Sequence, residues 1–304
     1  MKPKIFIDGH EGTTGLKINE LLGVRSDIEL LPIDELKRKD AGERRKLINS
    51  ADLVFLCLPD VAARESVSLI DNDKTRVIDA STAHRTNPEW VYGFPELSKE
   101  HREKIIRSRR VANPGCHATG FIATVYPLIK IGILPLDYPL TCLSLTGYSG
   151  GGKTMIRSYE EEMTQEMHSP RLYGLDMRHK HLPEMIHVTG LMRTPVFCPV
   201  VDDYYNGISV TITLHNDLLN GKPTTTEILR GLSGYYAGEK YIVVMQELGS
   251  GMLESNWGID TNMMEITVSG NDELTIVTAR FDNLGKGASG AAVQNMNLML
   301  NLKD

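Results

Sequence analysis

Cys116 follows Asn113-Pro114-Gly115, a strong turn signal, and opens an apolar run with helical spacing. That helix should reach about Tyr126, where Pro127 should end or kink it. A thiol at a helix start sits over N–H groups without intrahelical partners and at the positive end of the dipole. Both lower its pKa and raise its thiolate fraction near neutrality. Cys57, Cys142 and Cys198 lie inside apolar strand patterns and read as small buried hydrophobes. A second cluster, Arg178-His179-Lys180-His181-Leu182-Pro183-Glu184, sets two imidazoles two residues apart with a carboxylate three beyond the second. One imidazole can take the thiol proton and later return it, and Glu184 can orient that ring as the third member of a triad does. His-x-His with His187 nearby also has the look of a metal cluster, but no thiolate is close in sequence, so no metal is expected.

The third chemical feature is Gly9-His10-Glu11-Gly12-Thr13-Thr14-Gly15, between a first strand and an amphipathic helix. The spacing is G-x-x-G-x-x-G rather than G-x-G-x-x-G, yet the mechanism survives. Residues without Cβ let backbone N–H groups and a helix N-terminus approach a pyrophosphate. Thr13 and Thr14 add hydroxyl donors. Asp34 and Glu35 follow the second strand and suit a ribose 2′-hydroxyl, whereas Lys37 and Arg38 suit a 2′-phosphate, and composition does not choose between them. A nicotinamide cofactor together with an activated thiol narrows the chemistry. Hydride transfer needs an electrophilic carbonyl, and a thioester accepts hydride better than a carboxylate. The pair therefore implies an acyl-enzyme route between an aldehyde and an activated acid.

These residues need a frame. Apolar runs at 5–7, 28–31, 53–58 and 77–78 alternate with helical spacing at 15–22 and 61–70, the rhythm of βαβ units and a doubly wound parallel sheet. A last strand at 110–112 ends at the Asn113 turn. Strands predicted at 141–146, 207–214, 265–269 and 274–280 alternate more clearly and read as a mostly antiparallel sheet with one covered face. Residues 286–300 read as a helix with Ala288, Ala292, Met296 and Met299 on one stripe. The fold class this pattern gives is α/β, with a doubly wound sheet first and a mostly antiparallel sheet after it.

The chain's 304 residues suit two domains, and 41% hydrophobic with 24% charged residues excludes wholesale disorder. Against 39 Asp+Glu stand 33 Lys+Arg, a net charge of −6, so neither nucleic acid nor anionic membrane is an expected partner. The clusters Arg44-Arg45-Lys46 and Arg107 to Arg110 are short and read as solvated helix faces. No apolar run approaches the ~18–20 residues of a membrane span. Four cysteines without a CxxC, and an N-terminus that runs straight into a strand pattern, lead to a reducing, cytoplasmic setting as the expectation.

Read in order, six segments closely resemble N-acetyl-γ-glutamyl-phosphate reductase in its shorter form, a relative of aspartate-semialdehyde dehydrogenase. They are residues 9–15, 79–85, 113–116, 146–153, 179–184 and 282–290, and they span essentially the whole chain. The resemblance implies NADP(H) as cofactor and reduction of N-acetyl-γ-glutamyl phosphate to the semialdehyde with release of phosphate. It implies Cys116 as nucleophile and His181 as acid/base, with Glu184 and Tyr173 behind them. Gly9, Gly12, Thr13, Thr14, Gly15, Leu58, Pro59, Ser81, Ser149, Gly150 and Asn283 are the implied cofactor contacts. Arg85, Asn113 and Lys153 are the implied substrate or phosphate contacts. Ala83-His84 departs from the acidic-aromatic pair usual in the longer form, which leaves the contacts of His84 open. A Rossmann-type domain over 1–114 plus 286–304 and an α+β domain over 115–285 are implied, the second carrying a dimerising sheet and making a homo-dimer or homo-tetramer. Two rivals are an aspartate-semialdehyde dehydrogenase and a non-catalytic dinucleotide-sensing protein.

Overall fold

A computed structural model describes residues 1–247, 249 and 251–303. The chain divides into two compact units, Met1–Pro114 with Ala288–Asp304, and Gly115–Gly287.

The first unit is built on β1 (Lys4–Asp8), α1 (Thr13–Gly23), β2 (Glu29–Leu31), α2 (Ala41–Ser50), β3 (Leu53–Leu56), α3 (Asp60–Ser68), β4 (Arg76–Asp79), β5 (Val91–Tyr92), α4 (Lys99–Arg107) and β6 (Arg110–Ala112). The six strands pair in parallel in the order β2-β1-β3-β4-β6-β5. Side chains alternate across such a sheet, so each face needs its own cover. Ile5, Ile7, Leu53, Phe55 and Ile78 pack on one face with Ile18 and Leu22 of α1. Phe6, Val54, Leu56 and Val77 pack on the other with Ile48 of α2 and Ala63 of α3. The chain's last helix, α9 (Gly290–Leu300), adds Ala292, Met296 and Met299 to the first face.

The same packing corrects one expectation. Arg44 is buried rather than solvated: its guanidinium lies 3.0 Å from Asp8 at the end of β1 and bonds Ser66. A carboxylate with no access to water needs that counter-charge. Arg107 is exposed, whereas Arg110 lies over the Trp90 ring at 5.6 Å.

The second unit holds α5 (Cys116–Lys130), β7 (Thr141–Gly147), α6 (Gly152–Glu161), β8 (Arg171–Leu172), α7 (Leu182–Thr189), β9 (Val196–Asp202), β10 (Ile208–His215), α8 (Thr225–Tyr235), β11 (Ile242–Val244), β12 (Met264–Gly270) and β13 (Leu274–Phe281). Its sheet runs β11-β12-β13-β10-β7-β9-β8, and among the described residues the parallel pairs are β11–β12 and β7–β9. α5 lies against β10 so closely that a Cβ at Gly120 would come within 2.5 Å of Val210. Pro127 does not end α5. The carbonyl its missing N–H would have bonded, that of Ala123, accepts from the Tyr236 hydroxyl at 2.7 Å, and the helix continues to Lys130. The opposite sheet face leaves Leu143, Val196 and Ile276 between 42% and 52% exposed.

Residues 286–300 are not one regular helix. Gly287 N bonds Asp282 O at 3.0 Å, a five-residue step, and a π-helix over Gly285–Ser289 precedes α9. Ala288 therefore leaves the buried stripe of Ala292, Met296 and Met299 and is half-buried. Among the described residues no helix is long and apolar enough to cross a membrane.

Candidate active site

In the second unit, Cys116 is the first residue of α5, with Gly115 at the N-cap in extended conformation. The first intrahelical bond is Thr119 N to Gly115 O at 2.8 Å, so the N–H groups of Cys116, His117 and Ala118 precede it and point out of the helix start. No acidic side chain stands in the first turn to oppose an anion there. Gly115 N does not join this array. It donates to Glu184 Oε2 at 3.1 Å, and Glu184 is 1% exposed.

Glu184 faces two ways. Its other oxygen lies 4.0 Å from His181 Nε2, an ion-pair distance rather than a hydrogen bond. One buried carboxylate thus ties the start of α7, which carries the imidazole, to the residue before the thiol. Pro183 in the first turn and Gly190 in left-handed conformation (φ 74°) fix the two ends of α7. His179, the other imidazole of the pair, has a different position. Its Nδ1 accepts from the His181 backbone N–H at 3.2 Å, and burial, then the Lys180 charge, push its pKa down to about 4. A ring whose lone pair is engaged and whose protonation is so disfavoured is a poor base near neutrality.

His117 directly follows Cys116 and is buried, a residue the sequence reading gave no role. Burial, followed by His179 and Lys180, lowers its pKa to about 3. Its Nδ1 lies 2.7 Å from Ser144 Oγ and its Nε2 lies 2.8 Å from the Tyr173 hydroxyl. Ser144 is inward-facing on β7, where Cys142 and Thr146 also point in. A polar residue in that alternation was the signal available in sequence. Gly287 is a second residue that sequence reading passed over: a Cβ there would stand 2.9 Å from Cys116 Cβ. Of the remaining cysteines, Cys142 is buried, but Cys57 and Cys198 are half-buried rather than core residues. Burial raises the pKa of both Cys57 and Cys142 thiols.

Ser149 and Asn283 are brought together. Asn283 Nδ2 donates to Ser149 Oγ at 2.9 Å, its Oδ1 accepts from Gly207 N at 2.7 Å, and Ser149 Oγ also bonds Asn206. Both side chains are thus engaged within the protein. Gly150 beside them is exposed, as is Lys153 on the first turn of α6.

In the first unit, the loop after β1 and the loop after β3 meet where the strand order reverses, the crevice in which open α/β sheets bind ligands. Gly9 has φ +91°, and a Cβ there would strike Cys57 O at 2.4 Å. At Gly12 a Cβ would sit in ordinary contact with Cys57 O at 3.5 Å and Gly9 O at 3.6 Å, so no protein atom forbids a side chain there. Beside the loop is a cavity of about 580 Å³ lined by Gly9, Gly12, Leu58, Pro59, Arg38 and Lys39, among others. Thr13 Oγ1 is buried with no hydrogen-bond partner among the described residues. An orphaned hydroxyl and a helix start suit a dinucleotide pyrophosphate, while Arg38 shares the cavity with Lys39 and lies against Glu11 and Glu35.

The acidic alternative for the ribose is otherwise engaged. Asp34 caps its own turn through Leu36 N at 2.9 Å, and Glu35 bonds His10 at 2.9 Å. Lys39, rather than Lys37, joins Arg38 at the cavity. Thr14 and Gly15 lie on the first turns of α1, with Thr14 O accepting from Ser289 Oγ at 3.2 Å. Ser81 bonds both Asp79 oxygens, through its N–H at 2.9 Å and its hydroxyl at 2.8 Å. His84 Nδ1 lies 2.6 Å from Asp79 and its ring stacks on Trp90 at 4.1 Å, which settles its contacts. Arg85 donates to the carbonyls of Asn113 and Ala80, and Asn113 Nδ2 donates to Ala288 O.

Two family profiles match the chain: "Semialdehyde dehydrogenase, NAD binding domain" over residues 5–105, and "Semialdehyde dehydrogenase, dimerisation domain" over 116–283. An N-acetyl-gamma-glutamyl-phosphate reductase 2 from Nostoc sp. is 47% identical over 100% of this chain and 98% of its own length. A protein of the same name from Pseudomonas putida is 46% identical over 98% and 97%. The chain belongs to the N-acetyl-γ-glutamyl-phosphate reductase family. It is an oxidoreductase with a NAD(P)-binding first unit and carries the family's dimerisation domain. Solved structures agree at the level of fold. Aspartate semialdehyde dehydrogenase II of Vibrio cholerae superposes with a TM-score of 0.74 over 99% of both chains at 12% identity. The Francisella tularensis aspartate semialdehyde dehydrogenase gives 0.72 at 14% identity, over 99% of this chain and 100% of its own.

Proposed function

We infer that the chain reduces N-acetyl-γ-glutamyl phosphate to N-acetyl-L-glutamate 5-semialdehyde with NADPH, releasing phosphate in a step of arginine biosynthesis. The observation that carries this reading is Cys116 at the first position of α5, linked through Glu184 to His181. His181, whose Nε2 lies 4.0 Å from Glu184 Oε1, takes the thiol proton. The thiolate attacks the acyl carbon, and the N–H groups at the helix start receive the oxyanion, each such donor being worth roughly 3 kcal/mol in comparable sites. The bond to phosphate then breaks, leaving a thioester on Cys116, and Arg85 and Lys153 are the proposed attractors of the departing anion. NADPH, when bound, supplies the hydride that takes the thioester to the aldehyde level. As the carbon–sulfur bond breaks, His181 returns its proton.

The cofactor is NADP(H), and the residues proposed to hold it are Gly9, Gly12, Thr13, Thr14, Gly15, Leu58 and Pro59, with Ser81, Ser149, Gly150 and Asn283 toward its other half. Asn113 is assigned to the substrate. The oligomer is a dimer or tetramer formed across the outer face of the second sheet, where Leu143, Val196 and Ile276 stand exposed. Free cysteines at all four positions fit a cytoplasmic setting. Phosphate-dependent oxidation of the aldehyde with NADP⁺ tests the reading. Cys116→Ser should bind NADPH normally and lose turnover, and N-acetyl-glutamate semialdehyde should be oxidised where aspartate semialdehyde is not. Substantial turnover by Cys116→Ser would overturn the nucleophile, and the opposite aldehyde preference would overturn the substrate.

A further inference from the structure

Arg38 follows β2 and lines the cavity beside the glycine loop, the place from which an arginine reads a ribose 2′-phosphate. Two carboxylates already hold it. Its guanidinium pairs with Glu11, which lies inside the glycine loop between Gly9 and Gly12, and is 3.7 Å from Glu35 Oε2. The other Glu35 oxygen is 2.9 Å from His10 Nε2. Two neighbouring residues of the glycine loop, His10 and Glu11, are thus tied to the turn after β2, and His10, Glu11 and Arg38 all line the cavity. An acid after β2 ordinarily accepts the 2′-hydroxyl of NAD, but both Glu35 oxygens here face groups of the protein's own.

These pairs are made to be exchanged. The side chains of Arg38 and Glu11 are 36% and 48% exposed, and those of His10 and Glu35 are 24% and 64% exposed. Ion pairs so open to water shift an equilibrium by about fivefold or less. A 2′-phosphate brings nearly two charges and three acceptor oxygens, so it takes the guanidinium from a single carboxylate. The exchange has a cost, because it leaves Glu11 without its counter-charge in a loop built to receive a pyrophosphate. A dinucleotide with a plain 2′-hydroxyl leaves the pairs standing, so the cost falls on NADP and not on NAD.

We propose that Glu11 and Glu35 determine cofactor specificity by competing with the 2′-phosphate for Arg38, which holds the preference for NADP over NAD below what Arg38 alone would give. The inference rests on the dinucleotide reading of this cavity. It gives a purpose to a carboxylate in an anion-binding loop, where electrostatics alone disfavours one. If the contacts served only to fix the loop's shape, removing them would change the affinity for both dinucleotides alike.

Calorimetric titration of the full chain with NADP⁺ and with NAD⁺, in the absence of substrate, tests it. The quantity read is the Kd for NAD⁺ divided by the Kd for NADP⁺, in which effects on the shared pyrophosphate cancel. Glu11→Gln should raise this ratio about two- to fivefold, Glu35→Gln should move it the same way, and the two together should exceed either alone. Arg38→Gln should lower it about tenfold or more. In the Arg38→Gln background Glu11→Gln should leave the ratio where it was. A rise there would mean that Glu11 repels the phosphate directly, and it would overturn the competition. A ratio unmoved by Glu11→Gln and Glu35→Gln would overturn it too, as would an Arg38→Gln ratio equal to the parent's, which would pass the phosphate to Lys39. A parent protein that binds neither dinucleotide would instead strike the reading of the cavity, and this inference with it.

Discussion

Adding one methyl group at Gly287 should disable the thiol without touching it chemically. A Cβ at this position would stand 2.9 Å from Cys116 Cβ, 3.2 Å from Phe281 and 3.4 Å from Asp282 O. Ordinary carbon contacts are about 3.5–4.0 Å, so Cys116 must move by roughly 0.6–1 Å. The alanine cannot back away, because the Gly287 N–H is bonded to Asp282 O and Phe281 lies on its flank. Overpacking of this kind costs about 1–3 kcal/mol of stability. A displacement near 1 Å at a reacting atom costs on the order of 100-fold in rate. Gly287→Ala should therefore fold and bind NADP⁺ as the parent does, yet lose roughly 100-fold in kcat for phosphate-dependent aldehyde oxidation. Gly234→Ala is the control. Its Cβ would meet nothing within 4 Å on α8, and it should gain about 0.5–1 kcal/mol of stability with unchanged kcat. A Gly287→Ala enzyme with kcat within about threefold of the parent would refute the claim that this contact sets the sulfur's position.

Gly12→Ala should fold normally, since its Cβ would be 3.5 Å from the nearest protein atom, and should raise the Kd for NADP⁺ about tenfold or more while leaving Cys116 alkylation unchanged. Equal affinity would remove Gly12 from the cofactor site. His117 and His179 titrate near 3 and 4 when folded and near 6.5 when unfolded, so between those values the unfolded chain binds more protons. Their contribution is complete above about pH 6.5 and fades as pH falls toward the folded values, so Tm should drop on acidification through that window. His117→Gln should flatten the Tm profile there, and an unaltered slope would contradict it. Leu143→Asp with Ile276→Lys should shift the oligomer toward monomer in light scattering at unchanged far-ultraviolet dichroism; an unchanged mass would move the interface elsewhere.

The doubly wound first sheet was legible because its strands are buried on both faces and read as short apolar runs, while α1 and α3 carry the helical period between them. The Cys116 turn and helix start were legible for the same local reason. What sequence concealed depends on distant partners. Pro127 announces a helix end, and only Tyr236 bonding Ala123 O shows why α5 runs on. Arg44 looks like one more surface cation until Asp8 is seen beneath it. Pro199 interrupts the pattern of β9, a strand paired on both sides. In the site, the roles of the His-x-His pair separate only when the His179 ring is seen accepting the His181 amide. Ser144 gains meaning only through His117, 27 residues earlier in the chain.

The proposed reaction passes through a covalent acyl group on one sulfur. Mixing the enzyme with N-acetyl-glutamate semialdehyde and NADP⁺ without phosphate should give about one NADPH per active site and then stall, the stoichiometry of an accumulated acyl-enzyme. Peptide mass spectrometry should find the acyl group on Cys116, and added phosphate should discharge it and restart turnover. Steady NADPH formation with no adduct, or an adduct on another residue, would contradict the account.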